Sequence, residues 1–343
     1  MRLGAAVLAF ATLLACARPE SSSDSPEARA LCPVLVSDGQ YRMGTVLEIS
    51  LCAPDRASGE ALVRGAFERV GELERRFSTF DPTSEVSELN RSAGRGPRKV
   101  SPELARLTGD SLALSARTLG SFDVTVGPLV SLWAAAAKAG RRPSAAELAA
   151  TRERVGASRV RADLAAGTVE LRSAGAALDF GGIAKGWALD RVCESLRAAG
   201  VTRALLSFGE SSIAAIGAAP GRDAWGVALS DASGGLAGSL ELRDRSLSVS
   251  GSLGQFVEIG GRRYGHVIDP RSGEPLERPR IAAALAASGA EAEALSKALL
   301  VLGEKDGIAV VESLPDAEGI LVDEGGARFE TSGWRDAARF SPE

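Results

Sequence analysis

Apolar and polar positions alternate over 45–51 (TVLEISL), the period of a half-buried strand. The next apolar set, Val63, Phe67, Val70, Leu73 and Phe77, recurs at three- and four-residue steps, which predicts an amphipathic helix over 61–77. Helical spacing also covers 102–119, a short alanine-rich stretch after Trp133, and the segments 291–302 and 305–313. ALLSFG (204–209), IAAIG (213–217) and WGVALS (225–230) predict short strands separated by glycine or proline. SLELRDRSLSVSGS (239–252) and VEIGGRRYGHVID (257–269) read as hairpins, the second turning at Gly260 and Gly261, and 319–323 reads as a closing strand. Strands and helices mix without regular β-α-β alternation, so the pattern predicts an α+β fold with mixed or antiparallel sheets rather than a doubly wound parallel one.

The stretch LDFGGIAKGWALD (178–190) reads as an apolar strand that ends in two glycines and leads through Lys185 into a helix closed by Asp190. A phosphate loop requires a Ser or Thr after the lysine, whereas Gly186 and Trp187 follow here, and no GxGxxG fingerprint is present. Two readings stay open: an anion site at a helix start, and a tight turn beside a solvated lysine. His266 is the sole histidine, which excludes multi-histidine metal motifs such as HExxH. It is either an ordinary half-buried strand residue or a general base. GESSI (209–213) lacks the last glycine of a nucleophile elbow. Asp123 and Thr125 lie among apolar residues and need backbone or ligand partners. STFDPTSEVSELN (78–90) reads as an Asp-Pro turn followed by a capped helix start.

Composition narrows the partners. The 343 residues are 45% apolar, enough for a sizeable core, and a net charge of −4 without a basic stripe argues against nucleic acid. At the N-terminus one arginine precedes an apolar run from Leu3 to Ala15, too short to span a membrane, that ends Leu13-Leu14-Ala15-Cys16. This predicts a signal peptide over 1–15, a lipidated Cys16 with a polar tether over 16–37, and a globular domain over 38–343. The expected location is the cell envelope, with the domain anchored to a membrane by the lipid and facing the periplasm. Cys32 and Cys52 flank the first predicted strand and are able to pair in an oxidising compartment, while Cys193 falls in a helical pattern as a core residue.

Taken in order, several of these stretches resemble the motifs of the ApbE family, the FAD:protein FMN transferases. They are Met43-Gly44-Thr45, STFDP with SELN, SFDVTVGPLVSLW (121–133), LDFGGIAKGWALD, ALLSFGESSIAAIG, HVIDPRSGEP (266–275) and EAEALSKALLVLG (291–303). The resemblance implies Mg²⁺-dependent transfer of FMN from FAD to a Thr or Ser hydroxyl of an exported acceptor protein, with release of AMP. It implies that Met43 and Phe80 border the adenine or flavin, with Phe80 standing where the family commonly has tyrosine. Ser121, Phe122, Asp123, Gly181, His266 and Val267 would hold the nucleotide, and Lys185 would face an anionic part of FAD. His266 or Asp269 would act on the acceptor hydroxyl.

The implied metal ligands are the Ala184 carbonyl and the helix positions occupied here by Glu293 and Lys297. Family members usually carry aspartate and threonine at those two positions. Three readings follow from the replacement. Glu293 and Lys297 form an i,i+4 ion pair and the metal site is lost; or Lys297 takes the place of the metal; or metal binds through Ala184, Glu293 and Ser296 with Lys297 turned away. The corresponding alternatives to transfer are a noncatalytic FAD-binding lipoprotein and an enzyme that splits FAD into FMN and AMP.

Overall fold

A computed structural model describes residues 32–209, 211–230, 236–338 and 341–342. The chain opens on an antiparallel hairpin of β1 (Val34–Arg42) and β2 (Thr45–Ala53), registered from Val34 opposite Ala53 to Arg42 opposite Thr45. Met43 and Gly44 turn the hairpin with φ of 48° and 81°, the paired left-handed conformations that a two-residue connection demands. A disulfide joins Cys32 to Cys52 across the base of the hairpin, and Val36 is buried, so the folded region begins ahead of residue 38, the boundary expected from the sequence. Helix α1 (Arg56–Phe77) follows, its first turn capped by the Asp55 carboxylate, which accepts from the Ser58 N–H at 2.8 Å.

A helical excursion comes next: α2 (Glu85–Arg91), β3 (Arg98–Lys99), α3 (Pro102–Arg117), α4 (Gly127–Ala139) and α5 (Ala145–Arg152). β4 (Val160–Asp163) and β5 (Thr168–Leu171) complete a small sheet with β3. The stretch 178–180 is not a strand. Asn90 takes its place in the hydrogen bonding, because the side-chain amide accepts from the Leu178 N–H at 2.8 Å and donates to the Leu178 carbonyl at 2.9 Å. The Asp179 N–H goes to Val124 instead of a sheet neighbour. Helix α6 (Ala184–Ala198) then runs well past Asp190, where the sequence suggested its end.

The remaining strands are β6 (Ala204–Phe208), β7 (Ser212–Ile216), β8 (Trp225–Ser230), β9 (Leu236–Leu242), β10 (Ser246–Gly251), β11 (Phe256–Ile259), β12 (Arg262–Gly265) and β13 (Ile281–Ala286). Helix α7 (Gly289–Glu312), β14 (Glu318–Val322), β15 (Arg328–Glu330), α8 (Trp334–Ala338) and β16 (Ser341–Pro342) close the described chain. The main sheet has eight antiparallel strands in the order β1-β2-β6-β7-β10-β13-β14-β15. The hairpin β11-β12 turns at Gly260 and Gly261 as expected. The arms β9 and β10 do not pair with each other. β9 lies between β8 and β16, and β10 joins β7 and β13, so the two alternating sequences meet face to face across a core of Trp225, Leu240, Leu242, Leu247 and Leu285.

Helices cover the other side of the main sheet. On β13, Ala282, Ala284 and Ala286 face α7 while Ala283 and Leu285 point into the opposite core, and this double cover explains an apolar run without alternation. Gly303, at φ 80° and ψ −165°, breaks α7 between the two stretches that show helical periodicity. No helix among the described residues is long and apolar enough to cross a membrane. The expected signal peptide and Cys16 lie outside the described residues.

Candidate functional site

Helices α6 and α7 cross where both lack a side chain. A Cβ on Gly186 would stand 2.2 Å from the Gly289 carbonyl oxygen, and one on Gly289 would stand 2.5 Å from that of Gly186. Only glycine at both positions permits this approach. The crossing brings each helix start to a carboxylate of the other. Asp190 on α6 accepts from the Gly289 and Ala290 N–H groups at 2.6 and 3.0 Å, and Glu293 on α7 accepts from the Gly186 N–H at 3.0 Å.

Glu293 is 1% exposed and its two oxygens are both engaged. Oε1 also accepts from the Ser212 hydroxyl at 2.6 Å, and Oε2 accepts from the Lys297 ammonium at 2.9 Å, one helical turn along. Burial opposes ionisation of Glu293, but the Lys297 and Lys185 charges and the Ser212 bond outweigh it and hold the carboxyl below its usual range. Lys185, in the first turn of α6, donates to the Ser211 hydroxyl at 2.6 Å. Desolvation, together with the Lys297 charge and against the pull of Glu293, lowers its pKa. Two ammoniums around one carboxylate leave a surplus positive charge at the start of α6.

His266 follows β12. Its ring reaches solvent but is crowded by protein, and this desolvation, with the fields of Lys297 and Lys185, lowers its pKa against the opposing Gln255 bond. Nδ1 lies 3.0 Å from the Gln255 carbonyl, which can only accept, so Nδ1 carries the proton and Nε2 is left as the basic nitrogen. Asp269 is held by Arg271 in a two-point pair, Nε and Nη2 each 2.9 Å from a carboxylate oxygen.

Residues 121–126 border this centre. The Ser121 hydroxyl donates to the Thr118 carbonyl at 2.6 Å, and Asp123 caps the short helical turn Val124–Val126 by accepting from the Thr125 N–H at 2.8 Å. Burial raises the Asp123 pKa against its Thr125 bonds. Phe122 lies over the 181–182 turn, with a ring carbon 3.7 Å from where a Gly182 Cβ would stand; Lys297 Cε is 3.9 Å from the same point. Val267 packs its side chain in the core against α7, leaving only its backbone for other contacts. Leu119, Gly120, Asp123, Gly156, Pro270 and Arg271 line a cleft of about 380 Å³ whose walls do not include the two lysines. Met43 sits in the first hairpin turn with its N–H on Glu74 at 2.8 Å, and Phe80 is 96% exposed on the loop after α1.

The geometry thus gathers Phe122, Gly181, Ala184, Lys185, Glu293, Ser296 and Lys297 around the crossing, with His266 in reach of the lysine charges. Ser121 and Asp123 are spent on local backbone, and Phe80 stands free. Ser211, Ser212 and Gln255 were not among the residues singled out in the sequence, and Asp190 stood out there only as a helix end. The adjacent hydroxyls of GESSI were the available signal for the first two; Glu210 in the same stretch lies outside the described residues.

Mg²⁺ takes about six oxygen ligands, usually one or two carboxylates together with phosphate oxygens and water. Glu293 offers a carboxylate that already accepts from an amide, a hydroxyl and an ammonium. The Ser296 hydroxyl donates to the Glu293 carbonyl and contacts the hydroxyls of Ser248 and Ser250 at 3.0 and 2.9 Å. No group of three or more His, Cys, Asp or Glu able to hold a metal exists among the described residues. Lys297 has donors only and repels a cation. The side chains present do not fit Mg²⁺.

A family model described as ApbE family matches residues 43–321. An FAD:protein FMN transferase of Klebsiella pneumoniae (strain 342) is 30% identical over 285 residues, covering 82% of this chain and 86% of that protein. The crystal structure of the ApbE protein of Thermotoga maritima superimposes with a TM-score of 0.80 at 26% identity, covering 89% of this chain and all of the other (100%). The flavin transferase ApbE of Vibrio cholerae gives a TM-score of 0.77 at 26% identity, covering 88% and 99%.

Proposed function

The chain belongs to the ApbE family, and on that premise we propose that it is an FAD:protein FMN transferase that moves FMN from FAD to a Ser or Thr hydroxyl of an acceptor protein. The observation that carries this reading is the surplus positive charge at the start of α6, set near an imidazole kept neutral. FAD presents a pyrophosphate dianion between its two halves, and ammonium donors beside a helix start suit it. Lys185, in the first turn of α6, holds the pyrophosphate. The 121–123 turn and the cleft beside it take part of the nucleotide, and exposed Phe80 offers a ring for stacking on flavin or adenine.

In the transfer, the acceptor hydroxyl oxygen bonds to the FMN-side phosphorus as the bond from that phosphorus to the bridging oxygen breaks. AMP leaves with the bridging oxygen, and the hydroxyl proton passes to Nε2 of His266. The depressed His266 pKa keeps that nitrogen free at neutral pH. Asp269, with both oxygens on Arg271, orients the loop after His266 rather than taking the proton. Because the donors around Glu293 do not fit Mg²⁺, no step runs through a metal.

The Cys32–Cys52 disulfide supports an oxidising compartment, and with the lipobox-like run ending at Cys16 it favours a membrane-anchored protein facing the periplasm and an exported acceptor. Covalent flavin fluorescence on a denaturing gel, with FAD and a threonine-bearing acceptor, tests the activity. His266→Ala should cut turnover by roughly 10²–10⁴-fold with little change in FAD affinity. Equal losses in turnover and affinity would instead make His266 a binding residue.

A further inference from the structure

We propose that Lys297 is a resident cation in the place of a divalent ion, so that this chain binds the pyrophosphate of FAD without metal. The inference rests on the reading of the chain as an FAD-using transferase.

Three observations support it. First, the Lys297 ammonium is fixed rather than loose: its side chain is 19% exposed, and Nζ is 2.9 Å from a carboxylate that is itself pinned by Gly186 and Ser212. Second, it lies over the site. Its Cε is 3.9 Å from the position a Gly182 Cβ would occupy, so the stem crosses the glycine turn that opens α6, beside Phe122. Third, the ion pair with Glu293 leaves donors over. Of its three N–H donors, Lys297 uses one on Glu293 and keeps two for phosphate oxygens. Glu293 thus holds a cation, as a metal-binding carboxylate would, but the cation is covalently part of the chain. An incoming divalent ion would have to displace Lys297 from its carboxylate and remain beside two positive charges.

The test uses the purified full chain, with FAD binding followed by quenching of flavin fluorescence in EDTA and in excess Mg²⁺, and bound Mn²⁺ counted by electron paramagnetic resonance. The expected result is an FAD Kd equal within about twofold in EDTA and Mg²⁺, with no FAD-dependent Mn²⁺ binding. Lys297→Thr should lose at least ~10-fold in FAD affinity in EDTA, regain it with Mg²⁺ and bind Mn²⁺. Lys297→Arg, which keeps the charge, should retain metal-free binding. The double variant Glu293→Gln/Lys297→Met removes the buried ion pair as a unit and leaves Lys185 as the one ammonium of the site, so it guards against misfolding from a half-broken pair; it too should lose affinity in EDTA. Wild-type binding that appears only with Mg²⁺ would overturn the resident cation alone. Undiminished metal-free binding by the double variant would overturn it as well. No FAD binding under either condition would overturn the transferase reading and this inference together.

Discussion

Two carboxylates, one half-buried and one fully buried, do the same mechanical task at the α6–α7 crossing and differ in what surrounds them. Asp190 closes the start of α7 with two backbone N–H groups, alongside the Ser288 cap on Glu291. Glu293 closes the start of α6 with one N–H group, a serine hydroxyl and an ammonium. Asp190 is pushed up to about 6 by burial, because its amide donors and the Arg191 charge fall short of offsetting desolvation. Glu293 is buried at least as deeply and is still held below the usual range, because two lysines face it. The difference separates a carboxylate that only caps from one that organises a charged site.

The largest test of this contrast is Glu293→Ala. It would leave Lys297 and Lys185 without their anion and the Gly186 amide and Ser212 hydroxyl unpaired, so unfolding free energy should fall by about 3–5 kcal/mol in urea titrations. A loss below ~1 kcal/mol would mean that water, not protein, satisfies the pair in solution.

The second test is pH dependence, where the two carboxylates should have opposite signs. Asp190 has a folded pKa of about 6 against an ordinary value of 3.8, so its proton stabilises the fold below the lower value and that stability is lost as pH rises through 6. The stability advantage of wild type over Asp190→Asn should therefore shrink by roughly 2 kcal/mol between pH 4 and pH 7. Glu293 has a folded pKa below its ordinary value of 4.5, so its contribution is present above that value and is lost as pH falls through the folded pKa. The advantage over Glu293→Gln should shrink on acidification instead. Parallel slopes for the two variants would erase the distinction. The smallest effect should come from Ser288→Ala, about 1 kcal/mol, since Asp190 continues to cap α7 when the serine is gone.

The long helices and strands β2, β6, β7, β10 and β14 of the central sheet were legible from a period or from a short apolar run bounded by glycine, whereas β13, covered on both faces, carries no period and was not. The first hairpin holds another such strand. β1 is an edge strand with Val36 as its buried side chain and with Leu35 and Tyr41 exposed, so it lacks the alternation that marks β2. β4 and β5 are four residues each, too short for a period to register. The stretch 178–180 has strand composition, but Asn90, distant in sequence, satisfies its backbone and removes it from any sheet. At the site, the lysine after the double glycine, the single histidine and the Glu293-Lys297 spacing all stood out along the chain. Their partners did not, since Ser212 and Glu293 are 81 residues apart and Lys185 and Ser211 are 26 apart.

The sequence by itself determined the α+β class, the periodic elements, the family resemblance and the exchange of an oxygen ligand for an ammonium at residue 297, because these are local properties of residue type and spacing. Tertiary structure alone decided that Gly186 and Gly289 meet, that Glu293 is sealed from water between two lysines, and that Nδ1 rather than Nε2 of His266 holds its proton. Charge and protonation depend on distance and desolvation, and neither exists until the chain has folded.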